Sequence, residues 1–312
     1  MPGIEGAASL VWSSANALAR RFSGDRTRLP ARVVSVGNIQ AGGAGKTPLV
    51  GWFAREADRR GLGVCILSRG YRGAWESEGG VLAPGETAFA SQCGDEPALL
   101  RELAPRAWIG VGADRVRQFG RVLERKGGSI DLVILDDGFQ NFRLHKDLEI
   151  VALTSASPSK KVFRDFSGAL KGADLLVWTK GNEMPLSDPS LRDKLVRVRF
   201  RLRLPAGLSP DQGFFFVSGL ADGEEARRSA VDAGMKIEQC LNFPDHARYS
   251  RKEIDSILDQ AKRADLKVAL TGKDWVKWRE LGVPASAVTV FEPEIEISDS
   301  DRRRWEQIVW TT

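Results

Sequence analysis

A chain of 312 residues, 42% hydrophobic and 28% charged, can bury more than one core ordinarily holds, so two compact domains are expected. Its mild basic excess, 46 Lys and Arg against 41 Asp and Glu, comes without a long basic run, a zinc finger or an aromatic-basic RNA-binding pattern, so no nucleic-acid partner is expected. Three widely spaced cysteines (Cys65, Cys93, Cys240) argue against a disulfide framework or zinc knuckle and point to reduced thiols in the cytoplasm; no apolar run reaches the roughly 18 residues of a membrane span.

In chain order, the first feature is a helix-like stretch with Leu10, Val11, Ala15, Leu18 and Phe22 near helical spacing and Trp12 beside them. Its arginines follow the apolar part, which is the reverse of a signal peptide. Residues 1–32 carry five arginines (Arg20, Arg21, Arg26, Arg28, Arg32) against Glu5 and Asp25. Two readings stand open: a basic amphipathic helix lying on an anionic membrane surface, or a helix packed on its own domain.

Short β-branched apolar runs follow: "ARVVSVGN", "GVCILSRG", "AWIGVG", "DLVILDDG", "LEIVAL" and "DLLVWTKG". Helical stretches such as 46–61 and 113–126 lie between several of them, and this alternation predicts a parallel sheet with helices on both faces. "KLVRVRFRLRLPAG" alternates like an exposed strand, and its proline and glycines predict a boundary, giving domains 1–205 and 206–312. The second, smaller α/β set holds strands at "GFFFVSGL", "KIEQCLNF", "LKVALTG" and "AVTVFEP", with helices at 222–234, 250–264 and 273–280.

Chemistry concentrates after the first strand. Gly42, Gly43, Ala44 and Gly45 precede Lys46, Thr47 and Pro48 at the start of a helix. Small residues let backbone N–H groups turn onto phosphate oxygens; the lysine meets the β/γ-phosphates and the hydroxyl meets Mg²⁺. Gln40 replaces the first glycine of the usual P-loop pattern, and the competing reading is a glycine-rich turn with an incidental lysine. Asp136 and Asp137 end an apolar strand, where an acidic pair organises a metal or merely makes a turn. Ala41 stands where partitioning-type ATPases carry a second lysine, and "TKGN" (179–182) ends in Asn182 where GTPases place an aspartate.

"SVGNIQAGGAGKTP", "LSRGYRG", "GDEPALL", "DDGFQN", "DLEIV" and "FPDHARY", in this order over roughly residues 8–280, resemble the tetraacyldisaccharide 4′-kinases. The resemblance implies a P-loop kinase-like α/β fold, two domains around a cleft, and a membrane-associating N-terminal helix. It implies ATP and Mg²⁺, and phosphorylation of the 4′-hydroxyl of the tetraacyldisaccharide 1-phosphate precursor of lipid A. The partners would be a lipid-linked disaccharide and an anionic membrane surface, with a monomeric enzyme peripheral to the cytoplasmic face of the inner membrane. By this likeness Lys46 and Thr47 are the P-loop pair, and Asp136 and Asp137 serve Mg²⁺ with Thr47. Asp95 is the base taking the acceptor proton, and His246 of the second domain pairs with it. Asp95 also suits a helix N-cap, and His246 a surface loop.

Gln140, Asn141, Arg115, Arg164 and Asp165 are candidates for acceptor or phosphate contacts, although Arg115 equally suits a solvated helix face. Asn141 replaces the family's usual histidine, the glycine-rich segment before Arg164 and Asp165 is contracted, and "TGKDWVKW" departs from a Thr-Glu-Lys-Asp string. These departures leave open a different lipid-linked sugar, or a P-loop NTPase coupling hydrolysis to partner binding.

Overall fold

The computed structural model describes residues 4–22, 24–40, 43–155, 162–203, 211–220 and 222–311. The parallel part of the fold comprises β1 (Arg32–Asn38), β2 (Val64–Ser68), β4 (Trp108–Val111), β5 (Leu132–Asp136), β6 (Leu148–Thr154), β7 (Leu175–Lys180) and β8 (Leu195–Arg203). Short β3 (Gly80–Leu82) closes one edge, antiparallel to β4. The second set is β9 (Gly213–Ser218), β10 (Lys236–Asn242), β11 (Lys267–Thr271) and β12 (Val288–Ile297). All twelve form one sheet in the order β10-β9-β11-β12-β8-β7-β6-β1-β5-β2-β4-β3. A mostly parallel sheet flanked by helices agrees with the fold class read from the sequence.

The two strand sets join at one seam. β12 runs parallel to β11 over Val288–Phe291, then antiparallel to β8 over Glu292–Ile297. β8 is therefore an interior strand, with Val196 and Val198 buried and Arg199 on the exposed face. The predicted boundary at 205/206 lies outside the described residues.

The helices are α1 (Ile4–Arg21), α2 (Lys46–Arg59), α3 (Trp75–Glu78), α4 (Ala90–Cys93), α5 (Asp95–Leu103), α6 (Arg115–Lys126), α7 (Gly223–Asp232), α8 (Arg251–Arg263), α9 (Gly272–Glu280) and α10 (Asp299–Trp310). Spacing explains their seating. In α2, Leu49, Val50, Phe53, Ala54 and Ala57 are buried at i, i+3/i+4 steps against the sheet. α10 returns from the second set to the first: Trp305 is fully buried, its ring 4.8 Å from Trp52 and 5.6 Å from Phe53. α8 opens with a capping box between Ser250 and Glu253.

α1 is seated the unusual way round. Ser9, Ser13, Asn16 and Arg20, at helical spacing, bond to residues 163–165: Phe163 N–H donates to Ser9 Oγ at 2.9 Å, Asn16 donates to Arg164 O at 2.8 Å, and Arg20 meets Asp165 at 3.2 Å. The apolar residues point away, leaving Val11 72% and Phe22 74% exposed, with Leu18 and Leu10 exposed beside them. No described helix is long and apolar enough to cross a membrane.

Candidate active site

The parallel strands deliver their carboxyl ends to one edge, at the point where the chain steps from β5 across β1 to β6. That crossover is where open α/β sheets leave a crevice. β1 ends at Asn38, fully buried. Gly42 lies outside the described residues; from Gly43 the loop runs with φ +55° and, at Gly45, +68°, a left-handed pair that enters α2 at Lys46. A Cβ at Gly45 would lie 2.5 Å from the Phe200 ring, and Thr179 Oγ1 donates to Ala44 O at 3.0 Å, so the loop is pinned between β7 and β8. Lys46, Thr47 and Pro48 form the first turn of α2, where a proline sacrifices no intrahelical donor.

Lys46 Nζ donates to Asn38 Oδ1 at 3.2 Å and lies 3.5 Å from Asp137 Oδ1. Asp137 sits at φ +53°, a conformation costing a non-glycine residue on the order of 1 kcal/mol. Arg164 Nη1 grips its other oxygen at 2.7 Å. Burial pushes the Asp137 carboxyl up, but Lys46 and Arg164 outweigh it and hold the group below the usual carboxylate range. Asp136 behaves oppositely. Only 2% exposed, it accepts a hydrogen bond from Ser68 Oγ at 2.9 Å, and its Oδ1 is buried without a hydrogen-bond partner among the described residues. Burial, then the charges of Glu96 and Asp137, push it up to about 7. The two adjacent carboxylates are thus held in opposite regimes, one of them with an orphaned buried oxygen that calls for a partner. Among the described residues no group of three or more His, Cys, Asp or Glu is placed to hold a metal ion.

The two halves of the chain meet at Asp95. It opens α5 after Gly94, which holds φ +91° where a Cβ would strike Tyr71 O. Gly94, not Asp95, occupies the N-cap, and no side chain caps this helix. The Asp95 carboxylate instead reaches across the fold: Oδ2 lies 3.0 Å from His246 Nδ1 and 2.9 Å from Lys277 Nζ. His246 sits in the loop after β10 at φ +59°, with its N–H on Asp245 Oδ1 and its ring edge-on to Tyr71. The sequence-expected pair is thus brought together from residues 151 positions apart.

The remaining candidates divide. Arg115 opens α6, its Nη1 donating to Gly112 O at 3.1 Å and Ala113 O at 3.2 Å; burial depresses its guanidinium from its ordinary value, and the charge of Asp136 acts most strongly against that. Gln140 donates to Asn38 O at 2.9 Å and Asp165 Oδ2 at 2.7 Å. Asp165, expected to face the acceptor, is 2% exposed with Arg20 on one oxygen and Gln140 on the other; it braces α1. Asn141 closes a turn, its N–H on Gly138 O and its side chain accepting from Arg143 N. Arg20, expected to meet lipid headgroups, lies inward over the Phe139 and Phe142 rings at 4.8 and 4.9 Å. Sequence reasoning missed Asn38, Ser68 and Lys277; the only signal for the last was the lysine pair four residues apart in "TGKDWVKW".

A family model described as tetraacyldisaccharide-1-P 4′-kinase (LpxK) matches residues 6–311. The chain belongs to this family. It is 34% identical over 267 residues to the tetraacyldisaccharide 4′-kinase of Geobacter metallireducens, covering 78% of each chain. It is 35% identical over 265 residues to that of Geobacter sulfurreducens, covering 78% of this chain and 74% of the other. The fold is similar to the crystal structure of LpxK from Aquifex aeolicus in complex with ATP, with a TM-score of 0.72 at 24% identity over 95% of each chain. As a member of the tetraacyldisaccharide 4′-kinase family, the chain is an enzyme of the phosphoryl-transfer class.

Proposed function

We propose that this chain transfers the γ-phosphoryl group of ATP to the 4′-hydroxyl of a tetraacyldisaccharide 1-phosphate. The observation that carries the reading is the Asp95 carboxylate paired with His246 from the other half of a chain whose P-loop lysine pairs with Asp137. In the step, the acceptor hydroxyl oxygen bonds to the γ-phosphorus, the bond from that phosphorus to the β-bridging oxygen breaks, and ADP leaves. Asp95 takes the hydroxyl proton, oriented by the imidazole. Lys46 exchanges Asn38 and Asp137 for phosphate oxygens, and the amides of the loop from Gly43 to Thr47 would face the same charge, with Gly42 the further loop residue expected to bind nucleotide. Thr47, Asp136 and Asp137 would hold Mg²⁺, the orphaned Asp136 oxygen being the donor that fits it. When bound, the ion would neutralise charge on the phosphates. Arg164, paired with Asp137, and Arg115 at the start of α6 are the candidates to meet transferred or acceptor phosphate.

In this reading the two strand sets are two domains, 1–205 and 206–312, and the base is complete only when His246 is docked on Asp95. The outward stripe of α1 (Val11, Leu18, Phe22) supports a peripheral position on an anionic membrane surface, the cytoplasmic face of the inner membrane, where a monomer would meet its lipid-linked acceptor. The test is ATP turnover with and without disaccharide 1-phosphate in detergent micelles. Acceptor-dependent ADP release with label moving to the lipid is the expected result; equal turnover in both would make the protein a hydrolase coupled to something else.

A further inference from the structure

α9 carries two lysines four residues apart, Lys273 and Lys277, and both reach the loop bearing His246. Lys273 Nζ pairs with Asp245 at 2.7 Å, on one side of the histidine. Lys277 Nζ donates to Ala247 O at 3.0 Å, on the other side, and lies 2.9 Å from Asp95 Oδ2. His246 is thereby held from both flanks in a left-handed conformation that a non-glycine residue keeps only where its surroundings fix it. The base of the helix is rigid: Asp274, fully buried, accepts from Tyr249 Oη at 2.7 Å, Thr271 Oγ1 at 2.7 Å and Gly219 N–H at 3.1 Å.

Lys277 is 9% exposed, and a lysine that deep is retained where its charge has a partner. Asp95 is its only carboxylate within ion-pair distance among the described residues. We propose that Lys277 is a positioning residue for phosphoryl transfer. With His246 it occupies Oδ2 of Asp95, which stops the carboxylate from rotating and leaves Oδ1 as the oxygen turned to the acceptor hydroxyl. None of the described residues donates a hydrogen bond to that Oδ1. Because Lys277 and His246 approach from the same half of the chain, the same docking that delivers the imidazole delivers the ammonium.

The inference rests on Asp95 being the base, and the experiment separates the two. Lys277→Met, Lys277→Arg, Asp95→Asn and the Asp95→Asn/Lys277→Met double variant of the full chain are assayed with Mg·ATP and disaccharide 1-phosphate in detergent. Lys277→Met should lower kcat roughly 30-fold, less than the roughly 10²- to 10⁴-fold lost with the general base itself, with the KM for ATP within about twofold of wild type. Lys277→Arg should restore most of that loss. In the Asp95→Asn background Lys277→Met should add less than about a further twofold, because the lysine acts only through the carboxylate. Asp95→Asn near the wild-type rate would remove the base reading and this proposal together. Asp95→Asn inactive with Lys277→Met at wild-type kcat would remove this proposal alone. Should Lys277→Met fail to melt cooperatively, Lys277→Arg against Lys277→Gln decides: higher kcat for arginine supports the proposal, and equal kcat at equal melting temperature overturns it.

Discussion

Asp136→Asn should make the protein more stable and less active, with a pH dependence that identifies the cause. The folded state holds the Asp136 proton up to about pH 7, against an ordinary value of 3.8. An unfolded chain releases that proton near 4, so between about 4 and 7 the folded state binds more protons than the unfolded one. Stability from this group is therefore present at low pH and lost as pH rises through the folded value. The difference corresponds to about 4 kcal/mol above pH 7, at 1.36 kcal/mol per tenfold change in proton affinity. Asparagine keeps an oxygen for Ser68 Oγ and cannot ionise. In chelator, at pH 8, the variant should gain as much as about 4 kcal/mol, or roughly 6 °C for a chain of this length. Near pH 4 the gain should shrink below about 1 kcal/mol, because the unfolded wild type is then only about half ionised. Scanning fluorimetry at several pH values reads both. Adding Mg·ATP should stabilise the wild type far more than the variant, while phosphoryl transfer by the variant collapses. Equal melting temperatures at pH 8, or a gain that does not change with pH, would refute the argument that a buried carboxylate is kept at a cost for a cation.

Lys46→Ala should lower turnover at least hundredfold with little change in melting temperature, since Arg164 still holds Asp137; retention of a tenth of the rate, about 1.4 kcal/mol of barrier, would remove the P-loop assignment. Asp95→Ala and His246→Ala should each cut kcat severely and the double variant little further, so multiplicative losses would mean separate roles. Leu18→Ser/Phe22→Ser on the outward stripe of α1 should weaken co-sedimentation with anionic vesicles and raise the KM for lipid acceptor, leaving ATP-site kinetics intact; unchanged sedimentation would return α1 to a purely packing role.

Much of this architecture is legible in the sequence because its signals are local. Unbroken β-branched runs such as "RVVSVGN" and "LVILD" require burial on both faces, and the structure buries β5 along its whole length. The glycines before Lys46 announce a left-handed turn that few other residues adopt. The short elements escaped for the converse reason: α3 and α4 have four residues each, too few for periodicity to register. α10 carries only two fully buried residues, Trp305 and Val309, in a stretch that otherwise reads as a charged surface.

The site itself separates what a motif can reveal from what only a fold can. Residue types fixed by chemistry, a lysine after glycines or an aspartate pair after a strand, are readable because the chemistry demands them at fixed spacing. Residues that hold those groups in place are chosen by geometry. Asp165 reads as a substrate contact by its neighbour Arg164, yet the backbone alternates: Arg164 turns to Asp137 and Asp165 turns back to Arg20 and Gln140. The same alternation inverts α1. Its apolar stripe looks like a packing face until the partners are seen to be the polar residues at 9, 13, 16 and 20, bonded to the segment 163–165 that presents Arg164. The ring of Trp12 lies 5.5 Å from the Arg164 guanidinium that grips Asp137. A helix whose outer face is apolar and whose inner face braces an acidic pair ties the surface of the protein to its phosphate site, a connection that depends on neighbours about 150 residues apart and so lies beyond any local pattern.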